Sequence, residues 1–285
     1  MSAVNYGDGL GVVTVTYSPG ETLAPFVDTL AKATTRPVQV ILADNGSTDG
    51  VPEAVAASRD GVVFLPTGGN LGYGGGANRG VAALGPDVGW VLISNPDIEF
   101  APGSVDVLLE AAERWPSGGM FGPLIREPSG EVYPSARLLP SLGRGLGHAL
   151  FAVVWKSNPW TRAYRQEQAP VERPAEWLSG SCFLMRREVF DAVGGFDERY
   201  FMYFEDVDLG ERVGRAGFSN VYVPDAEVVH IGGHSTARSS DRMLREHHLS
   251  AYRYLADRHP GVVWAPFRWA LKAGLSLRVR LLTRG

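Results

Sequence analysis

The chain has 285 residues, 45% of them hydrophobic and 20% charged, enough to bury a sizeable core and to exclude a disordered segment. Net charge is −4, but six of the 27 basic residues and none of the 31 acidic ones lie after Asp257, leaving −10 on the body and +6 on the tail. An acidic body without a recognition motif excludes a nucleic-acid binder, and a lone Cys182 excludes a disulfide framework or a cysteine zinc site.

The first 115 residues repeat one pattern four times: a β-branched run, a polar or glycine-rich turn, then helical periodicity. The predicted strands are Val12–Thr16, Val38–Leu42, Val62–Leu65 and Trp90–Ile93, with Leu23, Phe26, Val27, Leu30 and Ala31 at helical spacing between the first two. Near-continuous apolar strands alternating with helices point to an α/β fold: a Rossmann-like, mixed but mostly parallel central sheet with helices on both faces. Ligands of such sheets sit beyond the carboxyl ends of the strands, so the residues after each strand are the candidates. Further on, Trp177–Met185 reads as a strand, Arg187–Val193 as a short helix and Glu205–Ala216 as a helix stopped by Gly217. Val221–Ile231 reads as extended and Met243–Arg258 as helical. No linker stands out. One compact domain is expected, with a first half over 1–117, a second half over 118–258 and a basic amphipathic tail over 259–285.

Four post-strand segments could carry chemistry. Asp44-Asn45-Gly46-Ser47-Thr48-Asp49 places a carboxylate beyond strand two, either to bind a ligand or to serve ordinary turn and N-cap chemistry. Asn70-Leu71-Gly72 through Arg79-Gly80 contains G-x-G-x-x-A, with Asp97 twenty residues past Ala77. This is a dinucleotide fingerprint on paper, although it follows the third strand, and a close glycine-rich approach to a phosphate or sugar fits it as well. Asn95-Pro96-Asp97 ends strand four, with Asp97 either placed to ligate a hard divalent cation or serving with Pro96 merely as a strand terminator. Tyr203-Phe204-Glu205-Asp206-Val207-Asp208 opens a helix with three acids. They stabilise the helix dipole, and the aromatic frame raises a carboxyl toward the range of a general base. His230 closes an apolar strand before Ile231-Gly232-Gly233-His234.

In this order the motifs, with Gly180-Ser181 and Gly194-Gly195-Phe196-Asp197-Glu198, resemble the family 2 inverting glycosyltransferases of GT-A fold over about Gly11 to Arg258, closest to their rhamnosyltransferase-like branch. The resemblance implies that Asp206 is the base that deprotonates the acceptor hydroxyl. Asp44, near Thr16 and Tyr17, would bind the donor's pyrimidine, with Asn70, Gly72, Asn78, Arg79, Asn95 and Asp97 also on the nucleotide sugar. Asp97 and His230 would hold Mg²⁺ or Mn²⁺, and Trp177, Gly180, Ser181 and Glu205 would line the acceptor side. Where many relatives place an acid, this chain has Asn95, so the cation would rest on Asp97, His230 and diphosphate oxygens. The implied reaction moves L-rhamnose from dTDP-rhamnose to a polyprenyl-diphosphate-linked N-acetylglucosamine.

The expected partners are therefore a nucleotide-diphosphate sugar, a polyprenyl-diphosphate-linked sugar, an anionic membrane surface and, as a further candidate, a second copy of the chain. The N-terminus lacks a basic-then-apolar order, and the tail mixes Trp264, Phe267 and Trp269 with cations. A cytoplasmic enzyme, peripheral on the inner face of the membrane, is expected, with a tail packed on the body as the alternative. Two rival readings are a nicotinamide-dependent oxidoreductase using the Gly72 segment and a non-catalytic nucleotide-sugar-binding module.

Overall fold

In the computed structural model, β1 (Gly9–Thr16), α1 (Leu23–Ala33), β2 (Val38–Asp44), α2 (Val51–Ala57), β3 (Val62–Pro66), α3 (Gly72–Ala82) and β4 (Val88–Ser94) follow one another as strand–helix units. The chain continues through β5 (Ile98–Phe100), α4 (Ser104–Arg114), β6 (Gly118–Arg126), β7 (Val132–Tyr133), β8 (Ala136–Arg137), β9 (Arg173–Ala175), β10 (Trp177–Leu178) and β11 (Cys182–Arg186). It ends in α5 (Arg187–Ala192), α6 (Glu205–Arg215), β12 (Ser219–His230), α7 (Ser240–Arg258) and α8 (Ala265–Leu282). The structure describes residues 6–140, 170–232 and 240–282. The basic stretch of 141–169, His234 and Arg284 lie outside the described residues.

The main sheet runs β3-β2-β1-β4-β11-β6-β12-β5. β3, β2, β1 and β4 are parallel, as are β6 and β12, whereas β11 is antiparallel to both β4 and β6. Successive residues of each central strand point to opposite faces, so each strand feeds two apolar layers. Val12, Leu42 and Leu92 pack with α1, α2 and α4 on one face. Val13, Ile41 and Ile93 pack with α3, α5 and α6 on the other.

Two expectations change. The glycine-rich segment after β3 is not a loop: from Gly72 onward it is α3, and its glycines let the helix touch β1. A Cβ on Gly80 would stand 2.3 Å from Val13 and one on Gly76 2.8 Å from Val15. Glycine is a poor helix former, by roughly 1 kcal/mol per residue, and this close approach offsets that. The extended stretch over Trp177–Met185 is two strands: β10 pairs with β8, and β11 enters the main sheet. Ser179–Ser181 turns between them, where the Ser179 N–H is bound by the Ser135 carbonyl at 2.7 Å and the Gly180 N–H by a carboxylate instead of a strand.

Candidate active site

A cavity of about 570 Å³ opens at the carboxyl ends of β1 to β4. Tyr17 and Ser18 reach it from β1, Asn45 from β2, Asn70, Gly72 and Tyr73 from the β3–α3 junction, and Asn95 to Asp97 from β4. The antiparallel β4–β11 pair brings the second half alongside: Cys182 faces Ser94, and the Asn95 N–H donates to the Ser181 carbonyl at 2.8 Å. Trp177 and Ser179 to Ser181 therefore line the cavity beside the β4 end, together with residues 201–207.

β12 delivers His230. It pairs antiparallel with β5, His230 facing Ile98, and the Ile231 N–H donates to the Asp97 carbonyl at 2.9 Å. This register sets His230 Nε2 3.1 Å from Asp97 Oδ1 and 3.4 Å from Asn95 Nδ2. Asp97 Oδ1 is buried without a hydrogen bond. A carboxylate oxygen and an imidazole nitrogen converge here on one point, and both are ligand types for Mg²⁺ or Mn²⁺. Among the described residues no group of three or more His, Cys, Asp or Glu side chains is placed to hold a metal.

The acids open α6. Phe204, its N-cap, and Tyr203 both have φ of 67°, and Ser18 has 49°; these are the three non-glycine residues with positive φ among those described, and all line the cavity. Such conformations cost of order 1–3 kcal/mol each and persist where the surroundings over-determine them. The surroundings are α7: the His247 ring lies 5.3 Å from Tyr203 and 5.7 Å from Phe204, Tyr254 lies 5.4 Å from Phe204, and the Ser250 hydroxyl donates to the Met202 carbonyl at 2.9 Å. Burial, then His248 and Arg278, lower the pKa of His247, which keeps its ring neutral against the aromatics.

Asp206 Oδ2 accepts the Gly180 N–H at 2.9 Å and Oδ1 the Val207 N–H at 2.8 Å. A Cβ on Gly180 would lie 3.2 Å from Asp206 Cβ, so the turn comes as close as a glycine allows. Glu205 is buried, with Oε2 lacking any hydrogen bond. Burial and then the charge of Asp206 push Glu205 well above the usual carboxyl range. Burial also raises Asp206, but the backbone donors restrain it. Both carboxyls are thus raised by burial, Glu205 the more strongly, and the N–H groups of Gly180 and Val207 counter the rise at Asp206. An anionic, partly desolvated carboxylate at a cavity wall is chemically a proton acceptor.

Other predicted site residues fall elsewhere. Asp44, 4% exposed, does not line the cavity: Oδ1 accepts the hydroxyls of Thr16 (2.7 Å) and Ser47, and Oδ2 the N–H groups of Gly46 (3.0 Å) and Ser47 (2.9 Å). Both oxygens are spent on its own turn, with Thr16 buried beside it. Asn78 also lies off the cavity, clamping the backbone N–H and carbonyl of Phe196 at 2.9 Å each, and Arg79 is exposed on α3. Tyr73, whose hydroxyl donates to the Gly180 carbonyl, joins the site unpredicted, as do Arg242 and His247 of α7. The one local signal for Tyr73 was an aromatic side chain inside a glycine run; Arg242 and His247 sit in a helix whose sequence marks only its period.

Residues 11–194 match the family described as Glycosyl transferase family 2, and residues 162–248 match Glycosyltransferase like family 2. The chain belongs to glycosyl transferase family 2 and is a glycosyltransferase. It is 56% identical, over 97% of its own length and 94% of the relative's, to the N-acetylglucosaminyl-diphospho-decaprenol L-rhamnosyltransferase of Mycobacterium tuberculosis. It is 28% identical to the rhamnosyltransferase WbbL of Escherichia coli K12, over 67% of this chain and 72% of that one. Among solved structures, the mannosyltransferase PcManGT from Pyrobaculum calidifontis, in complex with GDP-Man and Mn²⁺, aligns with a TM-score of 0.58 at 17% identity, covering 95% of this chain and 70% of that one. S. aureus TarS aligns at 0.57 with 14% identity, covering 85% and 64%. These likenesses identify the GT-A fold expected from the motifs, and the family excludes the oxidoreductase reading.

Proposed function

We propose that this enzyme transfers L-rhamnose from dTDP-rhamnose to an N-acetylglucosamine carried on a polyprenyl diphosphate, inverting the sugar's anomeric carbon. The 56% identity to a relative named for this sugar and acceptor supports the substrate class. One observation carries the chemistry: Asp206 and Asp97 face the same cavity, the first accepting the N–H groups of Gly180 and Val207, the second beside His230.

In this reading residues 1–117 serve mainly the donor, with the nucleotide over Tyr17 and Asn45 and Asp44 fixing the turn beneath. Residues 118–258 serve the acceptor and supply the base. Asp206 takes the acceptor hydroxyl proton as that oxygen attacks the anomeric carbon from the side opposite the phosphate. The carbon–oxygen bond to the diphosphate breaks, its electron pair leaves with the nucleoside diphosphate, and no enzyme-bound sugar forms. Glu205, holding a proton, adds no second charge against Asp206. Asp97 and His230 fit a divalent cation, since Asp97 Oδ1 is buried with no hydrogen bond and faces the His230 ring nitrogen at 3.1 Å; bound there, Mg²⁺ or Mn²⁺ would stabilise charge on the departing diphosphate.

The enzyme works on an anionic membrane face without crossing it. No helix among the described residues is long and apolar enough to span. In α8, Trp269, Leu277 and Leu281 are exposed at four- and eight-residue spacing, flanked by exposed Lys272 and Arg280, while Phe267, Leu271, Leu275 and Val279 form the half-buried row.

The deciding experiment incubates the purified chain with dTDP-rhamnose and a prenyl-diphosphate-linked N-acetylglucosamine and follows acceptor mass. Gain of one deoxyhexose is expected. Preferential transfer from UDP- or GDP-sugars, or donor hydrolysis alone, would overturn the assignment.

A further inference from the structure

We propose that Arg137 and Arg242 form an anion subsite for the diphosphate of the acceptor, an assignment that rests on the polyprenyl-diphosphate reading above. An acceptor diphosphate entering this cavity meets Asp97, Glu205 and Asp206. Its charge needs a cationic counterpart on the acceptor side, and the cavity is lined by two guanidinium groups, Arg137 and Arg242.

Neither forms an ion pair among the described residues, although the cations around α6 are committed. Arg212 is bound by Asp208 at 2.7 Å, Arg199 by Asp197 at 2.6 Å and Arg258 by Glu211 at 2.9 Å. Arg137 is held in place by its neighbours. Its Nε donates to the Pro134 carbonyl at 2.5 Å, and its guanidinium carbon lies 5.1 Å from the Tyr133 ring centre and 5.3 Å from that of Trp177. Trp177 is fixed in turn by its indole N–H on the Leu138 carbonyl at 3.0 Å. The terminal nitrogens, the ones that recognise phosphate in bidentate fashion, make no hydrogen bond among the described residues. Stacking has already restricted the side chain, so little rotamer freedom remains to be lost on binding.

Position selects the acceptor over the donor. Arg137 pairs across β8–β10 with Trp177, three residues before Gly180, whose N–H donates to Asp206 at 2.9 Å, and both side chains line the same cavity. The reacting hydroxyl must meet Asp206, and the acceptor's own diphosphate hangs one pyranose ring from that hydroxyl. Arg242 stands over the Phe201 ring at 4.9 Å, on α7, the helix that leads into α8. α8 packs back on α7, with Lys272 Nζ 5.9 Å from the Tyr252 ring centre, and its exposed apolar row would receive the lipid.

The test has two arms. In the first, farnesyl diphosphate is titrated calorimetrically into the full chain in EDTA. Binding is expected, weakened about ten-fold in Arg137→Gln and in Arg242→Gln, the loss of one charge-assisted contact each, and largely retained in Arg242→Lys. In the second, kcat/KM is compared for prenyl-diphosphate N-acetylglucosamine and for octyl N-acetylglucosamine, which lacks the diphosphate. The ratio between them should fall about ten-fold in each Gln variant, with KM for dTDP-rhamnose moving less than about two-fold. An unchanged ratio, or a rise confined to donor KM, would overturn the subsite while leaving the rhamnosyl reading intact. Absence of rhamnosyl transfer would overturn that reading instead, and the metal-free titration would still decide: no binding, or equal binding by the variants, refutes the subsite.

Discussion

Asp206→Asn separates the chemistry of the base from its place in the fold. The amide is nearly isosteric, but it offers one oxygen where the carboxylate offered two. Of the N–H groups of Gly180 and Val207, at 2.9 and 2.8 Å, one must then face an NH₂. That unsatisfied donor costs about 1–3 kcal/mol of stability, and the lost anion at the α6 N-terminus adds a few tenths to ~1 kcal/mol. The effect on turnover is larger. Removing a positioned general base lowers rate by roughly 10²–10⁴, or about 3–5 kcal/mol in the barrier. Thermal melts with and without dTDP and Mn²⁺ should show the donor's stabilising shift retained, because the base meets the acceptor alone. Initial rates should fall by the stated factor. The wild-type pH profile should rise through an apparent pKa above the ordinary aspartate value of 3.8, since burial raises Asp206, and this limb should vanish in the variant. Near-normal turnover, or a donor shift lost in step with rate, would refute the assignment.

Glu205→Gln tests the shared charge. Native Glu205 keeps its proton above the unfolded value of 4.5, so stability falls as pH rises from there toward its raised native pKa, by up to ~1.4 kcal/mol per pH unit; the amide should flatten that slope in urea unfolding between about pH 5 and 8, and an unchanged slope would sink the argument. EDTA should abolish transfer and Mn²⁺ or Mg²⁺ restore it, with Asp97→Ala eliminating the cation-dependent part of dTDP binding and His230→Ala weakening it; full activity in chelator would refute both ligands. Deleting residues 262–285 should spare turnover on a short soluble acceptor and impair it on a long polyprenyl acceptor in anionic vesicles, with attachment of the intact chain loosened at 1 M salt, where the Debye length is ~3 Å; equal losses on both acceptors would make the tail structural.

The parallel half was legible because its strands are short apolar runs between turn formers, and β1 to β4 each contain their predicted run. The cavity's position followed from the same pattern, since Tyr17, Asn45, Asn70 and Asp97 all come just beyond a strand. Local signals were ambiguous where one residue serves two physical demands. The glycines of α3 read as a phosphate loop, yet they answer to the side chains of Val13 and Val15, contacts some 60 residues away in sequence that no periodicity displays. Asp44 and Asn78 were found by motif, and motif does not reveal that their polar atoms are consumed by neighbouring backbone. Tyr73 and Arg242 escaped because only the folded chain puts them on one wall with Asp206.

The acceptor side shows why its precision could not be local. Tyr203 and Phe204 take a backbone conformation their side chains disfavour, and that turn is what aims Glu205 and Asp206 into the cavity. Sequence immediately around the turn supplies no glycine to relieve it, so the restraint comes from α7. His247 and Tyr254 pack the two aromatic rings, Ser250 fixes the carbonyl just before them, and the Tyr254 hydroxyl donates to Glu211 of α6 at 2.8 Å. One helix therefore grips both the strained entrance to α6 and its second turn, which sets the angle of the base-bearing end. The same helix carries Arg242 at its start, and the next helix in the chain is the exposed, cationic α8. Under the proposed reading, the orientation of the base and the approach of a lipid-borne acceptor thus depend on the same helix.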